Sequence, residues 1–341
     1  MQYHRLGNTG LKVSELCFGA MTFGTNFMNI GAVEQDGADE LVSRALEAGV
    51  NFFDTANVYS YGESEEILGR ALKNNGVQRE SVVIATKVQG PMSDAASNGE
   101  GDVNNKGLSR QNIMASCEAS LQRLATEYID LYQVHGWDPT TPIEETLRTL
   151  SDLVRMGKVN YIGVSNWTAR HIAKSLELSR AHDWERFVSL QAHYSLVGRD
   201  LERELLPLSR EEGLGVLPWS PLSGGFLSGK YTRDNQSPEG SRRAEFDFPP
   251  VDERGFDAVE ALQEIASGKN VSVAQVALAW LLYQPGVTSV ILGANKMSQL
   301  EDNLGAAEIQ LSDEELSRLS ATTEPPKLYP EWMLEFQATR I

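Results

Sequence analysis

Short apolar runs alternate with stretches of helical periodicity along most of the chain. Eight runs are apolar almost throughout, which is typical of strands buried on both faces of a parallel sheet. Between the runs, apolar residues recur every three or four positions, as Leu41, Ala45 and Leu46 do, which indicates amphipathic helices. The runs that predict strands are 16–19, 51–54, 82–87, 129–135, 160–164, 188–190, 215–218 and 289–292.

This alternation predicts an α/β protein, a (β/α)8 TIM barrel rather than a doubly wound sheet, because the strand–helix repeat continues without a break in composition. Barrels of this length fold as single units, so we expect one domain over residues 1–341. The segments 3–6 and 11–13 are joined by Gly7-Asn8-Thr9-Gly10. They predict a short N-terminal β-hairpin, which we place at the bottom of the barrel.

Four helices carry start signals. Thr141 to Glu144 is typical of a capping box, with Pro142 at the first helical position. Further capping boxes are predicted for the late helices at 272–275, 298–301 and 312–315.

Three segments interrupt the repeat. Residues 90–108 are polar and follow directly after Lys87, so they predict a lid at the mouth of the barrel, with a disordered loop as the alternative. Residues 235–250 are also loop-like, and the tail from 325 carries aromatic side chains beyond the last helix.

The composition is that of a folded, acidic protein. A hydrophobic fraction of 41% is ordinary for a globular chain, and the net charge of −17 disfavours nucleic acid as a partner. Cys17 and Cys117 are too few for a disulfide framework and lack the spacing of metal ligands. No stretch is long and apolar enough to span a membrane, so we expect no membrane partner and a cytoplasmic location.

Four ionisable side chains stand at or near the ends of successive predicted strands. They are Asp54, Tyr59, Lys87 and His135. The carboxyl ends of barrel strands line one mouth, so an acid, a lysine, a histidine and a phenol converge there, as proton-coupled chemistry on a carbonyl requires. Each residue alone has a simpler explanation, such as a helix cap for Asp54 or a solvated strand end for Lys87, but their joint placement favours catalysis.

Five motifs, in order and on the expected elements, resemble the aldo-keto reductase family. The resemblance spans roughly residues 3–319. The motifs are Asn51-Phe52-Phe53-Asp54-Thr55-Ala56 with Tyr59 and Gly62-Glu63-Ser64-Glu65, then Thr86-Lys87, Val134-His135, Gly163-Val164-Ser165-Asn166, and Gly293-Ala294-Asn295-Lys296 through Asn303.

The resemblance implies a reversible, NADPH-dependent carbonyl reductase that converts an aldehyde or ketone to an alcohol. Tyr59 would give a proton to the carbonyl oxygen while hydride reaches the carbonyl carbon. A free phenol has a pKa of about 10 and needs a neighbouring cation, which Lys87 supplies and Asp54 holds in place. His135 would orient the carbonyl oxygen as a neutral ring.

Cofactor residues are likewise implied by the resemblance, since no convincing Rossmann glycine motif follows the first strand. Ser165, Asn166 and Gln191 match the family's contacts to the nicotinamide carboxamide, and Trp219 matches the aromatic residue that stacks on the ring. The glycine-bearing segment from Ser220 to Lys230 would cover the pyrophosphate. Its candidate contacts are Ser220, Leu222, Gly224 and Lys230.

The adenosine end of the cofactor is assigned to the start of a late helix. Gly293, Asn295 and Lys296 precede that helix, where backbone N–H groups favour an anion. Lys296 would meet the 2′-phosphate, with Gln299 and Asn303 toward the adenine, so NADPH is preferred and NADH remains possible. Many relatives have arginine in place of Lys296, and lysine lacks its bidentate fork.

The substrate pocket is predicted to have apolar walls. Phe23, Phe27 and Trp137 would suit bulky or aromatic aldehydes and ketones. The alternative function is a cofactor-binding, redox-sensing regulatory subunit with weak reductase activity. A metal-dependent barrel hydrolase is disfavoured because no His-x-His pair is present, and the oligomeric state is left open.

Overall fold

A computed structural model describes residues 1–25, 33–101, 103–236, 243 and 248–340. Eight parallel strands form one sheet that begins with the last strand in the sequence and then follows chain order. The barrel strands are β3 (Leu16–Gly19), β4 (Phe52–Asp54), β5 (Val83–Val88), β6 (Ile129–Val134), β7 (Val159–Ser165), β8 (Phe187–His193), β9 (Gly215–Trp219) and β10 (Val290–Gly293).

The barrel is nearly closed between β9 and β10. Val216 forms a parallel bridge to Val287, just before β10, and its carbonyl accepts a hydrogen bond of 2.8 Å from the Thr288 amide. The predicted (β/α)8 fold is therefore confirmed, with each predicted strand matched to within a few residues.

Helices flank the barrel between successive strands and continue beyond the last one. They are α1 (Gln35–Glu47), α2 (Glu63–Asn74), α3 (Asp94–Ser97), α4 (Arg110–Leu124), α5 (Ile143–Arg155), α6 (Ala169–His182), α7 (Leu205–Glu212), α8 (Arg254–Lys269), α9 (Val273–Leu282), α10 (Met297–Leu304), α11 (Asp313–Thr322) and α12 (Glu331–Ala338). Within the described residues, no single helix is long and apolar enough to cross a membrane, and α8 and α9 reach that criterion only together, across a 101° bend.

The N-terminal hairpin, β1 (Tyr3–Arg5) and β2 (Lys12–Ser14), closes the bottom of the barrel. Leu6 and Val13 are fully buried in a cluster with inward-facing strand residues such as Phe52 and Leu217. At Gly7 the backbone is left-handed, with φ +55°, and a Cβ would lie 2.4 Å from the carbonyl oxygen of Val188. Only glycine fits at this close approach to the strand. The hairpin pairing and its packing into the inner core confirm the predicted hairpin and its position at the bottom.

Two of the four predicted capping boxes are present. Ser272 and Ser312 each accept a hydrogen bond from the backbone of the third helical residue, whose side chain accepts one in return. The prediction at Ser298 is wrong, because α10 begins two residues earlier, with Lys296 rather than Ser298 as its N-cap.

The predicted box at Thr141 is also wrong, and Pro142 occupies the N-cap rather than the first helical position. The Thr141 hydroxyl donates instead to Asp138 Oδ2 at 2.7 Å. Asp138 accepts further hydrogen bonds from Thr140 and from the Leu108 amide, so the threonine is drawn into this turn rather than into a cap.

The polar segment after β5 is folded over its described residues 90–101 and 103–108. It contains α3, whose N-cap Ser93 accepts from the Ala96 amide, and it is tied to the barrel by a 2.5 Å hydrogen bond from the Tyr61 hydroxyl to Asp94. Its far end returns to the strand, where the Gly107 amide donates to the Gln89 carbonyl at 2.8 Å. The segment is therefore held against the barrel, and its role as a lid stays a prediction. The predicted loop at 235–250 falls largely outside the described residues.

Candidate active site

The barrel brings four ionisable side chains to one mouth. Asp54 is the last residue of β4, Lys87 is the last but one of β5, and His135 directly follows β6. Tyr59 begins a short 3-10 turn between β4 and α2. Because carboxyl ends of parallel barrel strands share one face, the four side chains converge as the sequence predicts.

Asp54 and Lys87 form a buried ion pair. The Lys87 ammonium donates to Asp54 Oδ1 at 2.5 Å and to the Thr55 carbonyl at 2.8 Å, and its side chain has no exposed surface. A buried ion pair needs satisfied hydrogen bonds on both partners to offset desolvation, and this pair has them. The ammonium is thereby fixed in position and remains charged.

The Tyr59 hydroxyl is the next group along this chain of contacts. It lies 3.4 Å from the Lys87 ammonium, and its ring meets the His135 imidazole edge-on with 5.6 Å between centroids. The three residues that follow, Ser60, Tyr61 and Gly62, all have left-handed φ values of 47°, 52° and 103°. Two non-glycine residues in this region are strained, as is common beside reactive side chains, and the turn fixes the direction of Tyr59.

The pKa values of these groups follow from burial and from the ion pair. Burial raises the pKa of Tyr59, and the Lys87 ammonium opposes this without overcoming it. Burial is the largest single influence on Lys87 and lowers its pKa, but the contacts with Asp54 and Tyr59 together outweigh burial, so the pKa of Lys87 is raised. Burial, with the Lys87 charge, lowers the pKa of His135 to about 3, so its ring is neutral near pH 7.

Gln133 belongs to the site and was not anticipated from the sequence. It lies on β6 with no exposed surface and donates to Asp54 Oδ2 at 3.0 Å. Gln191 on β8 donates to the same oxygen at 2.9 Å. The signal available in the sequence was a single amide inside the apolar run 129–135, two positions before His135.

The residues assigned to a nicotinamide lie together beside this network. Ser165 ends β7, and its hydroxyl is buried without a hydrogen-bond partner. Asn166, with φ +57°, donates to the His135 carbonyl at 2.9 Å and accepts from the Trp219 indole at 3.1 Å. Trp219 is half-buried, and its ring lies nearly parallel to Phe248, at 13°.

The glycine-bearing segment after β9 forms a tight, irregular turn. The Ser220 hydroxyl accepts from the Gly224 amide at 3.2 Å, Leu222 is half-buried and Lys230 is exposed. Gly224 has φ +65°, and a Cβ there would lie 2.6 Å from the Phe248 carbonyl. Arg243, another residue not anticipated from the sequence, donates to the Ser223 carbonyl at 3.0 Å and brings a guanidinium to this turn.

The segment assigned to the adenosine phosphate is open to solvent. Gly293 ends β10 with no atom within 4 Å of where a Cβ would stand, and Asn295 and Lys296 are exposed. The Gln299 side chain accepts from the Asn295 amide at 3.2 Å, and Asn303 is buried on the same helix. The Gln299 side chain therefore holds the backbone just before α10, and Lys296 is exposed at the start of this helix.

The predicted substrate walls are distributed differently from the expectation. Trp137 is half-buried and stacks on His171 with 3.8 Å between ring centroids. Phe23 has no exposed surface and packs 5.6 Å from Phe18, so in this structure it supports the mouth from within the core rather than facing it. Phe27 lies outside the described residues. No group of three or more histidine, cysteine, aspartate or glutamate side chains suited to a metal ion occurs in the described part of the chain.

The mouth of this (β/α)8 barrel holds a tyrosine beside a lysine–aspartate pair and a neutral histidine, a set of groups that can give a proton and a hydrogen bond to an oxygen atom. The model of the aldo/keto reductase family matches residues 15–324, and the chain belongs to that family. Its members are oxidoreductases that generally bind nicotinamide cofactors.

Individual relatives match over nearly their full length. An uncharacterised oxidoreductase of Bacillus subtilis, YrpG, is 39% identical over 94% of this chain and 95% of its own. Versiconal hemiacetal acetate reductase of Aspergillus parasiticus is 34% identical over 97% and 99%. A probable voltage-gated potassium channel subunit beta of Oryza sativa is 37% identical over 95% and 97%. The similarity thus extends to enzymes and to a protein named as a channel subunit.

Proposed function

We propose that this protein is an NADPH-dependent carbonyl reductase that converts an aldehyde or ketone to an alcohol and can run in reverse. The observation that carries the proposal is the contact of the Tyr59 hydroxyl with the Lys87 ammonium, 3.4 Å away, at the mouth of the barrel. The relative named as a hemiacetal acetate reductase supports carbonyl chemistry for this chain.

The residues beside the site fit a nicotinamide cofactor. Ser165 has a buried hydroxyl with no partner, which costs free energy unless a ligand engages it. Ser165, Asn166 and Gln191 would hold the carboxamide, and Trp219 would pack against the ring. When bound, the reduced cofactor supplies hydride to the carbonyl carbon.

The chain's own residues supply the proton. Tyr59 donates its phenolic proton to the carbonyl oxygen, and the Lys87 ammonium, held by Asp54, stabilises the phenolate that remains. Because burial raises the pKa of Tyr59, the phenol is protonated at neutral pH and ready to act as the acid. His135 is neutral and donates a hydrogen bond to the same carbonyl oxygen, which fixes its direction.

Optical measurement of cofactor oxidation tests the proposal directly. Purified protein is mixed with NADPH or NADH and with 4-nitrobenzaldehyde, aliphatic aldehydes, ketones and sugars. We expect NADPH-dependent turnover that persists in chelator. Tight cofactor binding without turnover of any carbonyl would contradict the proposal.

The second candidate is a redox-sensing regulatory subunit that keeps the cofactor site and uses it slowly. The relative named as a probable potassium channel subunit beta favours it. This function predicts slow single turnover of bound NADPH and a cofactor-dependent complex with a partner protein. Multiple rapid turnovers by the isolated chain would favour the reductase.

A further inference from the structure

Gln133 is a buried polar group that the proton-transfer chemistry leaves without a role. It stands on β6 between Tyr132 and Val134 and has no exposed surface. Burying an amide is costly unless its hydrogen bonds are made inside the protein. The contacts of Gln133 therefore indicate what its side chain does.

Those contacts all lead to Asp54 and Gln191. Asp54 Oδ1 accepts from Lys87, while Oδ2 accepts from Gln133 Nε2 at 3.0 Å and from Gln191 Nε2 at 2.9 Å. An ionised carboxylate only accepts hydrogen bonds, so each amide must turn its nitrogen toward it. Asp54 thus determines the orientation of both glutamines.

A third hydrogen bond joins the two glutamines, so Asp54, Gln133 and Gln191 are each bonded to the other two. Gln191 Nε2 also donates to Gln133 Oε1 at 3.3 Å, which uses its second proton. Among the described residues, none donates to Gln191 Oε1, so that oxygen is left as an acceptor for the N–H groups of a carboxamide. Gln133 therefore holds Gln191 with its nitrogen inward and its oxygen available.

We propose that Gln133 is a positioning residue that couples the bound cofactor, through Gln191, to the Asp54–Lys87–Tyr59 proton donor. The inference rests on the proposed function for the role of Gln191 toward the cofactor. The negative charge of Asp54 raises the pKa of Tyr59. The hydrogen bond from Gln133 disperses that charge, so Gln133 limits the rise. It also prevents the Gln191 amide from turning over.

The first test is the pH profile of alcohol oxidation, which needs the Tyr59 phenolate. Gln133→Met keeps the length of the side chain but removes the amide, so Asp54 loses a hydrogen bond that disperses its negative charge next to Lys87 and Tyr59. We expect the rising limb of kcat to move to higher pH by on the order of one unit. Ser189→Ala is the matched control, because Ser189 is buried in the same barrel and its hydroxyl makes no hydrogen bond, to Asp54 or to any other described residue.

The second test measures NADP+ affinity by tryptophan fluorescence in a double-mutant cycle, with no turnover needed. Gln133→Met and Gln191→Leu should each weaken binding, by roughly three-fold and ten-fold, and the double variant should bind about as weakly as Gln191→Leu alone. Losses that multiply independently would overturn the coupling. So would a Gln133→Met protein with wild-type affinity and an unshifted pH profile.

The outcomes separate this inference from the proposed function. A wild-type protein that binds NADP+ but turns over no carbonyl removes the reductase, while the binding cycle still decides the coupling. A wild-type protein without affinity for NADP+ overturns the coupling itself. Should Gln133→Met fail to fold, as judged by thermal unfolding, Gln133→Leu is measured in its place.

Discussion

Tyr59 is the residue on which the proposed chemistry depends most directly, because no other phenol among the described residues contacts the Lys87 ammonium. Tyr59→Phe removes the transferable proton and keeps the ring. We expect kcat to fall by about 10²- to 10⁴-fold, the usual contribution of a general acid. Steady-state turnover measures the loss, and tryptophan fluorescence should show that NADPH still binds.

Tyr61→Phe is the control for that substitution. Tyr61 lies two residues away in the same strained turn, but its hydroxyl donates to Asp94 in the polar segment after β5 rather than facing the ion pair. Its removal should leave kcat near the wild-type value. Retained turnover in Tyr59→Phe would remove the tyrosine from its role.

Histidine protonation predicts how stability depends on pH. Burial lowers the pKa of His135 to about 3 and that of His193 to about 4, against 6.5 for an ordinary histidine. Below about pH 6.5 these two histidines bind protons in the unfolded chain but stay neutral in the folded chain. The free energy of unfolding therefore decreases as the pH falls from about 6.5 toward 4. Urea unfolding between pH 7 and 4 measures the slope.

His193→Gln should flatten part of that slope. His193 packs on Trp219 at 4.9 Å, and its loss removes one buried group that resists protonation. An identical pH dependence in His193→Gln and the wild type would contradict this account.

At the scale of single elements, the start of α10 is the segment to which the proposed preference for NADPH is assigned. The exposed Lys296 stands at the N-cap, where its ammonium and the helix N–H groups would both face an anion. Lys296→Ala should weaken NADPH binding by about 1–3 kcal/mol, as for a lost charge-assisted hydrogen bond, and leave NADH binding nearly unchanged. Titration with both cofactors measures the difference, and equal losses would contradict the assignment.

The turn after β9 allows a test of backbone shape with two adjacent glycines. Gly224 and Gly225 both have positive φ, but a Cβ at Gly224 would lie 2.6 Å from the Phe248 carbonyl, while one at Gly225 meets nothing within 4 Å. Gly224→Ala should therefore destabilise the fold by more than Gly225→Ala, which bears only the left-handed penalty of about 1–2 kcal/mol. Thermal unfolding of the two variants compares them, and equal losses would show that the turn relaxes freely.

Strands and helices were predictable from the sequence because each has a local cause. Apolar runs bounded by polar residues fixed the strands, and reciprocal Ser–Gln and Ser–Glu spacing fixed two helix starts. The prediction of a capping box at Ser298 failed because the Ser–Glu spacing does not show which side chain binds the backbone at the start of the helix. In the structure Gln299 does so, by accepting a hydrogen bond from the Asn295 amide. Side-chain competition of this kind is settled only by tertiary structure.

The candidate catalytic residues were easier to predict from the sequence than the residues that surround them. Asp54, Lys87 and His135 lie at strand ends, and the barrel topology alone brings such positions together. Gln133 was missed because a lone amide in an apolar run has no motif, and its role follows only from distances across three strands. Phe23 was misjudged because an aromatic residue after a strand can face the mouth or the core, and the sequence does not distinguish them.

At the scale of the whole molecule, stability and chemistry are placed at opposite ends of the barrel. The hairpin inserts Leu6 and Val13 into the inner core at the bottom, and the site occupies the mouth. Leu6→Ala should lower the free energy of unfolding by about 2–5 kcal/mol, because it leaves a cavity in a fully buried site. Denaturant unfolding measures that loss, with the exposed Leu328→Ala as a control that should change little.

The same Leu6→Ala protein should keep its kcat under conditions where it remains folded, because the barrel strands stand between the substitution and the mouth. An unchanged kcat with reduced stability would indicate that the bottom of the barrel contributes only to stability. This is the general arrangement in such barrels, whose active sites lie at the opposite end. A proportionate fall in kcat would instead show that the inner core, which includes Cys17 and Phe52 beneath the ion pair, transmits packing defects to Asp54 and Lys87. Because the barrel strands and the inner core both extend from the bottom towards the mouth, this comparison measures how rigidly the barrel holds its proton donor.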